Sequence, residues 1–372
     1  MQPLQGVRVL DFTTLLPGPL ATLILAEAGA EVIKIERPDG GDEARGYRPR
    51  IDADSVHFAL LNRGKRSLAI NLKDPQVVKN LQPLIASSHV LVEQFRPGVM
   101  DRLGLGYEAV KAINRKIVYC AITGYGQDGP KAQVAGHDLN YIADTGLLAL
   151  AAGGDGAPTV PPGLIADIGA GSLPAVLNIL LALRRAEATG EGCQLDIAMC
   201  DGLFAWQYWA IGQGVLTGRW PRPGAERLTG GSPRYQVYRT ADRRFVAAAP
   251  LEQRFWDNFC EAIDLDPELR DDAKDPEATK AAVAAVLGAK PAEHWRRRFE
   301  GRDVCCNIVR SVEAALGDPH FRARGLFAAG LKAGDRRLPA LTVPLAPVFR
   351  EPRRDAGYPA LGEANDMLDG DA

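Results

Sequence analysis

Net charge is almost absent from this 372-residue chain: 44 Lys and Arg stand against 46 Asp and Glu, giving −2. That excludes a general electrostatic attraction to nucleic acid or to an anionic membrane. Metal-ligand spacing is missing as well. The six cysteines (Cys120, Cys193, Cys200, Cys260, Cys305 and Cys306) include no Cys-x-x-Cys, and the five histidines follow no zinc pattern. Reduced, buried thiols are therefore expected, with no metal. The opening residues MQPLQGVRVLDF have no basic segment leading into an apolar one, so no secretory leader is expected. The longest apolar helical stretch, 173–183, falls short of the roughly 20 residues that span a bilayer. A cytoplasmic protein without a membrane partner is expected. With 46% hydrophobic and 24% charged residues, the chain is not disordered.

What is present is an α/β pattern. Val7–Asp11 is an apolar run ending in an acid. Pro17-Gly18-Pro19 comes next, then a helical stretch to Gly29 and a strand over Glu31–Glu36. This βαβ unit lacks G-x-G-x-x-G at its first turn, which excludes the usual dinucleotide site. Further strands are expected at Ser67–Leu72, His89–Glu93, Ile117–Ile122 and Gln194–Ile197. Helices are expected at Gln76–Ala86, Asp138–Leu150 and Ser172–Ala188. Strand and helix alternate over the first 125 or so residues, the signature of a parallel sheet. Periodicity is lost over Gly212–Pro233. Strand signals at Tyr235–Tyr238 and Phe245–Ala249 come after it, and then several helices. The expected division is a large α/β domain over 1–220, a smaller α+β domain over 221–325, and an irregular C-terminal segment, 326–372, returning to the large domain.

Three acid/base candidates stand out. His137, in AGHDLNY, follows a glycine-rich loop at a helix start, where free N–H groups suit an oxyanion. The same position fits a structural histidine, and Asp138 fits a plain cap. Asp167, in GLIADIGAGS, precedes a glycine-rich turn into a long apolar helix, near a cap or a cleft. Glu252, in AAAPLEQRFW, lies after an apolar strand, where an acid in the first turn of a helix is the alternative. Arg37, Arg63, Lys65, Arg66, Lys73, Arg96 and Arg102 flank strand ends. Cations at that edge of an open sheet suit a phosphorylated ligand.

The chain resembles the class III CoA-transferase (CaiB/BaiF) family. The resemblance runs nearly end to end, through GVRVLDFTTLLPGP, EVIKIERP, LNRGKRSLAINLK, RPGVMDRLGLGYE, ITGYGQDGP, AGHDLNY, LIADIGAGS, VYRTADRRFVAAAPLEQRFW and DVCCNIV. Within the family it is most similar to the 2-methylacyl-CoA racemases, on the strength of AGHDLNY and Glu252. The resemblance implies a Rossmann-like large domain without the nucleotide fingerprint, and a smaller domain. It also implies an interlaced homodimer, with the active site between the large domain of one chain and the small domain of the other.

Roles are implied by the same resemblance. His137 and Asp167 would be the two acid/base groups, and Glu252 would orient the histidine. CoA would be held by Arg37, by Ile70, Asn71, Leu72 and Lys73, by Arg96, and by Gly136, Asp138 and Tyr141. CoA is part of the substrate, so no separate cofactor is implied. In the family's transferases the Asp at the position of Asp167 is instead a covalent nucleophile. Two departures are visible. Gly169-Ala170-Gly171 stands where the racemases carry Gly-Gly, and Ala364 stands where a C-terminal element of the transferases carries His.

Overall fold

Apolar runs such as VIKI and YCAI are stable as strands only when both faces of their sheet are covered. The computed structural model describes residues 2–153, 156–350 and 355–368. It gathers those runs into a six-stranded parallel sheet: β1 (Arg8–Phe12), β2 (Glu31–Glu36), β3 (Arg66–Ala69), β4 (Val90–Glu93), β5 (Val118–Thr123) and β6 (Cys193–Ala198). The order is β3-β2-β1-β4-β5-β6. From β1 the chain builds outward to β2 and β3, then crosses to the other side of β1 with β4. The winding therefore reverses between β1 and β4, where open α/β sheets leave a crevice beyond the carboxyl ends of their strands.

β2 matches its expected span, whereas β3 stops at Ala69 rather than Leu72. β3 is an edge strand, and the C-terminal segment covers it. The Asn365 side chain accepts from Ala69 N (2.8 Å), and Ala364 N donates to Ser67 O (2.9 Å). Occupying the free edge in this way blocks strand addition. The expected helix 76–86 is two helices, Pro75–Asn80 and Gln82–Ala86, because Pro83 cannot donate to the preceding turn.

The first compact unit comprises residues 1–145, 161–206 and 319–372, and the second comprises 146–160 and 207–318. These boundaries differ from those expected at 220 and 325. Helix Tyr208–Thr217 belongs to the second unit, and 319–325 to the first. The tail is not wholly irregular, since Gly330–Ala333 and Arg336–Pro339 form an antiparallel hairpin. The second unit has its own three-stranded antiparallel sheet and a core around Trp256, Phe259, Trp295 and Phe299.

Two further expectations are corrected. Cys305 is exposed and Cys193 half-buried, although all six cysteines are unpaired. Residues 165–189 form one continuous helical stretch of 25 residues, long and apolar enough to cross a membrane, because a π-helical turn extends the α-helix at its N-terminal end. Of its apolar window, 44% is buried against the rest of the chain.

The sheet's carboxyl edge carries an unusual set of buried charges. Asp11 pairs with Lys65 (3.1 Å), Lys34 with Asp42 (2.9 Å) and Glu36 with Arg45 (2.8 Å). Burial alone would raise Asp11, but Lys65 and Lys34 hold its carboxyl far below the usual range.

Candidate active site

A cavity of about 420 Å³ opens at the switch point of the first unit. Its wall is built from residues at or just past the carboxyl ends of three strands: Leu15 and Pro17 after β1, Gln94 to Pro97 after β4, and Gly124 and Tyr125 after β5. The loop Ala132–His137, Asn140 and Tyr141 of the helix Asp138–Asp144, Asp167 and Met199 complete it.

Of the residues singled out in the sequence, His137, Asp167, Arg96, Gly136 and Tyr141 line this one cavity. His137 is the last extended residue before its helix, and Asn140 closes back on it by accepting from His137 N (3.0 Å). The Tyr141 hydroxyl donates to Gly136 O (2.5 Å), pinning the approach loop. A Cβ at Gly136 would lie 2.7 Å from the Tyr141 ring, so the packing itself requires glycine there.

Asp167 rides on the π-helical turn Ile165–Ser172. Such turns displace side chains from α-helical register and cluster at functional sites. Gly169 lets the turn approach the Trp206 ring, since a Cβ there would sit 2.4 Å from it. The substitution of Gly-Ala-Gly for Gly-Gly is accommodated, because Ala170 is buried and packs on Gly202.

Asp138 does not line the cavity and is not a cap. Its carboxylate is buried one layer behind, and its Oδ1 accepts from Asp167 N (2.9 Å). Two carboxylates are thus held together. Burial, then the Asp138 charge, push Asp167 up to about 6, with His137 opposing. An aspartate tuned toward neutrality can hold or release a proton near physiological pH.

The other expected CoA contacts fall elsewhere. Arg37 follows β2, is exposed, and donates to Gly41 O (2.9 Å). Ile70, Asn71, Leu72 and Lys73 follow β3; Ile70 and Leu72 pack into the core beneath, while Asn71 and Lys73 are exposed. These residues share the sheet's carboxyl edge with the cavity but do not line it. Three of the basic residues are structural. Lys65 is buried against Asp11, and burial lowers it to about 8. Arg63 is spent on Glu27 (2.9 Å) and Leu341 O (2.6 Å), and Arg66 on Glu31 (3.3 Å). Glu252 lies in the second unit, exposed, at the residue preceding the helix Gln253–Ala262, and its side chain makes no cap bond.

Sequence reading missed several wall residues. Gln94 accepts from Gly18 N (3.0 Å). Next to Gln94 but outside the cavity wall, Glu93, buried at the end of β4, is pushed up to about 7 by burial, despite a bond from Phe95 N (2.7 Å). An acid ending an apolar run was the available signal, as it was for Asp11. Tyr125 donates to Asp144 (2.7 Å), which also binds Lys131 (2.9 Å).

Residues 4–365 match the family described as CoA-transferase family III. The alpha-methylacyl-CoA racemase of Mus musculus is 34% identical over 370 residues, 97% of this chain and 91% of that protein. The acetyl-CoA:oxalate CoA-transferase of Acetobacter aceti is 32% identical over 375 residues, 98% of this chain and 95% of that one. The crystal structure of a CaiB/BaiF family protein from Brucella suis superposes with a TM-score of 0.82 at 28% identity, covering 99% and 98% of the two chains.

Proposed function

The chain belongs to CoA-transferase family III, and from that premise we propose that it racemises 2-methylacyl-CoA thioesters at C2. The observation that carries this reading is the convergence of His137 and Asp167 on one cavity. Moving a proton from one face of a carbon to the other takes two acid/base groups, one empty and one loaded. For one enantiomer, one of the pair removes the C2 proton, giving an enolate. The other then delivers its proton to the opposite face, and the reverse reaction exchanges the roles. N–H groups at the start of the helix Asp138–Asp144 would receive the enolate oxygen. Asp167, held at about 6, suits both roles at neutral pH. Arg96 and Tyr141, on the same wall, would hold the CoA portion.

A second reading has its own support, because the oxalate CoA-transferase is nearly as similar as the racemase. In it, the Asp167 carboxylate attacks the thioester carbonyl, expels CoA thiolate and carries the acyl group as an anhydride. Chiral chromatography separates the two. Incubation with (R)-2-methylacyl-CoA should yield the S epimer without any added acid. Retention of R, with a new thioester forming once a carboxylic acid is supplied, would give the second reading.

A further inference from the structure

Leu15 has φ +64°, a left-handed conformation that a leucine adopts only when its surroundings impose it. Among the described residues four non-glycines do this. The other three (Arg243, Asp264 and Cys305) lie in the second unit, and only Leu15 lines the cavity of the first. The restraint comes from below. The Leu15 N–H points at both oxygens of the Asp42 carboxylate (3.2 and 3.3 Å). Asp42 is paired with Lys34 at 2.9 Å, both side chains being fully buried. The Lys34 ammonium in turn donates to Thr13 O (2.7 Å). One ion pair therefore grips the loop at two backbone groups, two residues apart. Beyond Leu15, the Ser172 hydroxyl donates to Pro17 O (2.7 Å) and lies 3.1 Å from Asp167 O. The gripped loop is thus tied to the turn that carries Asp167.

We propose that the buried Lys34–Asp42 pair positions the cavity: it locks Leu15 in the left-handed conformation and thereby fixes the wall against which Asp167 acts. Asp42 and Lys34 are positioning residues, since neither lines the cavity. A buried ion pair is weak evidence of stabilisation, because desolvation offsets its attraction, and register is its better-attested use. Here the register is that of Leu15. The inference rests on the cavity being the reaction site, whichever of the two reactions occurs there.

The test is a double-mutant cycle between Asp42→Asn and Leu15→Gly, read in the reaction that the wild-type protein performs. A wild type that exchanges no C2 proton but transfers CoA overturns the racemase reading alone, and the cycle is then run on transfer. Asp42→Asn should lower kcat about tenfold or more with KM within about threefold, as expected when a reacting group is displaced by a fraction of an ångström. On the Leu15→Gly background it should cost less than about twofold, because glycine takes positive φ unaided. Equal losses on both backgrounds, or full kcat in a folded Asp42→Asn protein, would overturn the proposal. A comparison of Leu15→Asn with Leu15→Val does not depend on the folding of the Asp42 variant. Asn tolerates the left-handed region and β-branched Val resists it, so Val should fall at least about fivefold below Asn in kcat despite its closer chemistry. The reverse order would also overturn it.

Discussion

Asp167→Asn should make the protein more stable while removing its activity. The fold raises the Asp167 carboxyl from its ordinary 3.8 to about 6. Burial is the main cause and the neighbouring Asp138 adds to it, so the ionised form is what the fold disfavours. The folded chain binds this proton more tightly than the unfolded chain does. Stability contributed by the group is therefore lost as pH rises from about 4 to about 6. A proton affinity changed about a hundredfold corresponds to about 3 kcal/mol. Asp167 faces the cavity and is partly solvated, which reduces the figure to about 1–2 kcal/mol. An asparagine has nearly the same shape and no charge. Urea unfolding followed by circular dichroism should find Asp167→Asn more stable than wild type by that amount at about pH 7.5, with the gap closing toward about pH 4. A variant no more stable than wild type at neutral pH, or a gap independent of pH, would refute the reasoning.

Other perturbations test other parts of the structure. His137→Gln should lower epimerisation at C2 by at least about a hundredfold, the usual scale for an acid/base group; near-wild-type epimerisation in a folded variant would remove His137 from the reaction. Arg45→Met should cost about 3–5 kcal/mol in denaturant unfolding, because it strands the buried Glu36 carboxylate that Arg45 holds through two 2.8 Å bonds. A loss below about 1 kcal/mol would mean that water reaches Glu36.

The legible parts of the fold were those set by local pattern. The near-continuous apolar runs of β2, β4 and β5 identify buried parallel strands wherever they occur, and β2 is bounded by the same residues in sequence and structure. What escaped was fixed by distant contacts. The expected helix 138–150 stops at Asp144, since Gly146 turns left-handed and the second unit begins there. The irregular stretch after Gly212 begins as helix, with Gly214 leaving room for the Trp220 ring. Of the site, His137 and Asp167 were legible because glycine loops mark the ends of their elements. The π-turn under Asp167 was not, because its register depends on packing against Trp206, Met199 and Pro17. Leu15 was invisible for the same reason: nothing in the residue itself signals positive φ, and its partner Asp42 lies 27 positions away. Lys65 and Arg63 resemble ligand-binding cations in sequence, but one is paired with the buried Asp11 and the other with the half-buried Glu27.

The central claim is that His137 and Asp167 move a proton at C2 of a thioester. Its most direct test is to incubate the protein with (R)-2-methylacyl-CoA in deuterium oxide and read the mass and configuration of the recovered thioester. The account predicts one deuterium at C2 together with the S epimer, the epimer being lost in His137→Gln. Recovery of unlabelled R substrate, with oxygen-18 from a labelled carboxylic acid appearing in the Asp167 carboxylate, would contradict it.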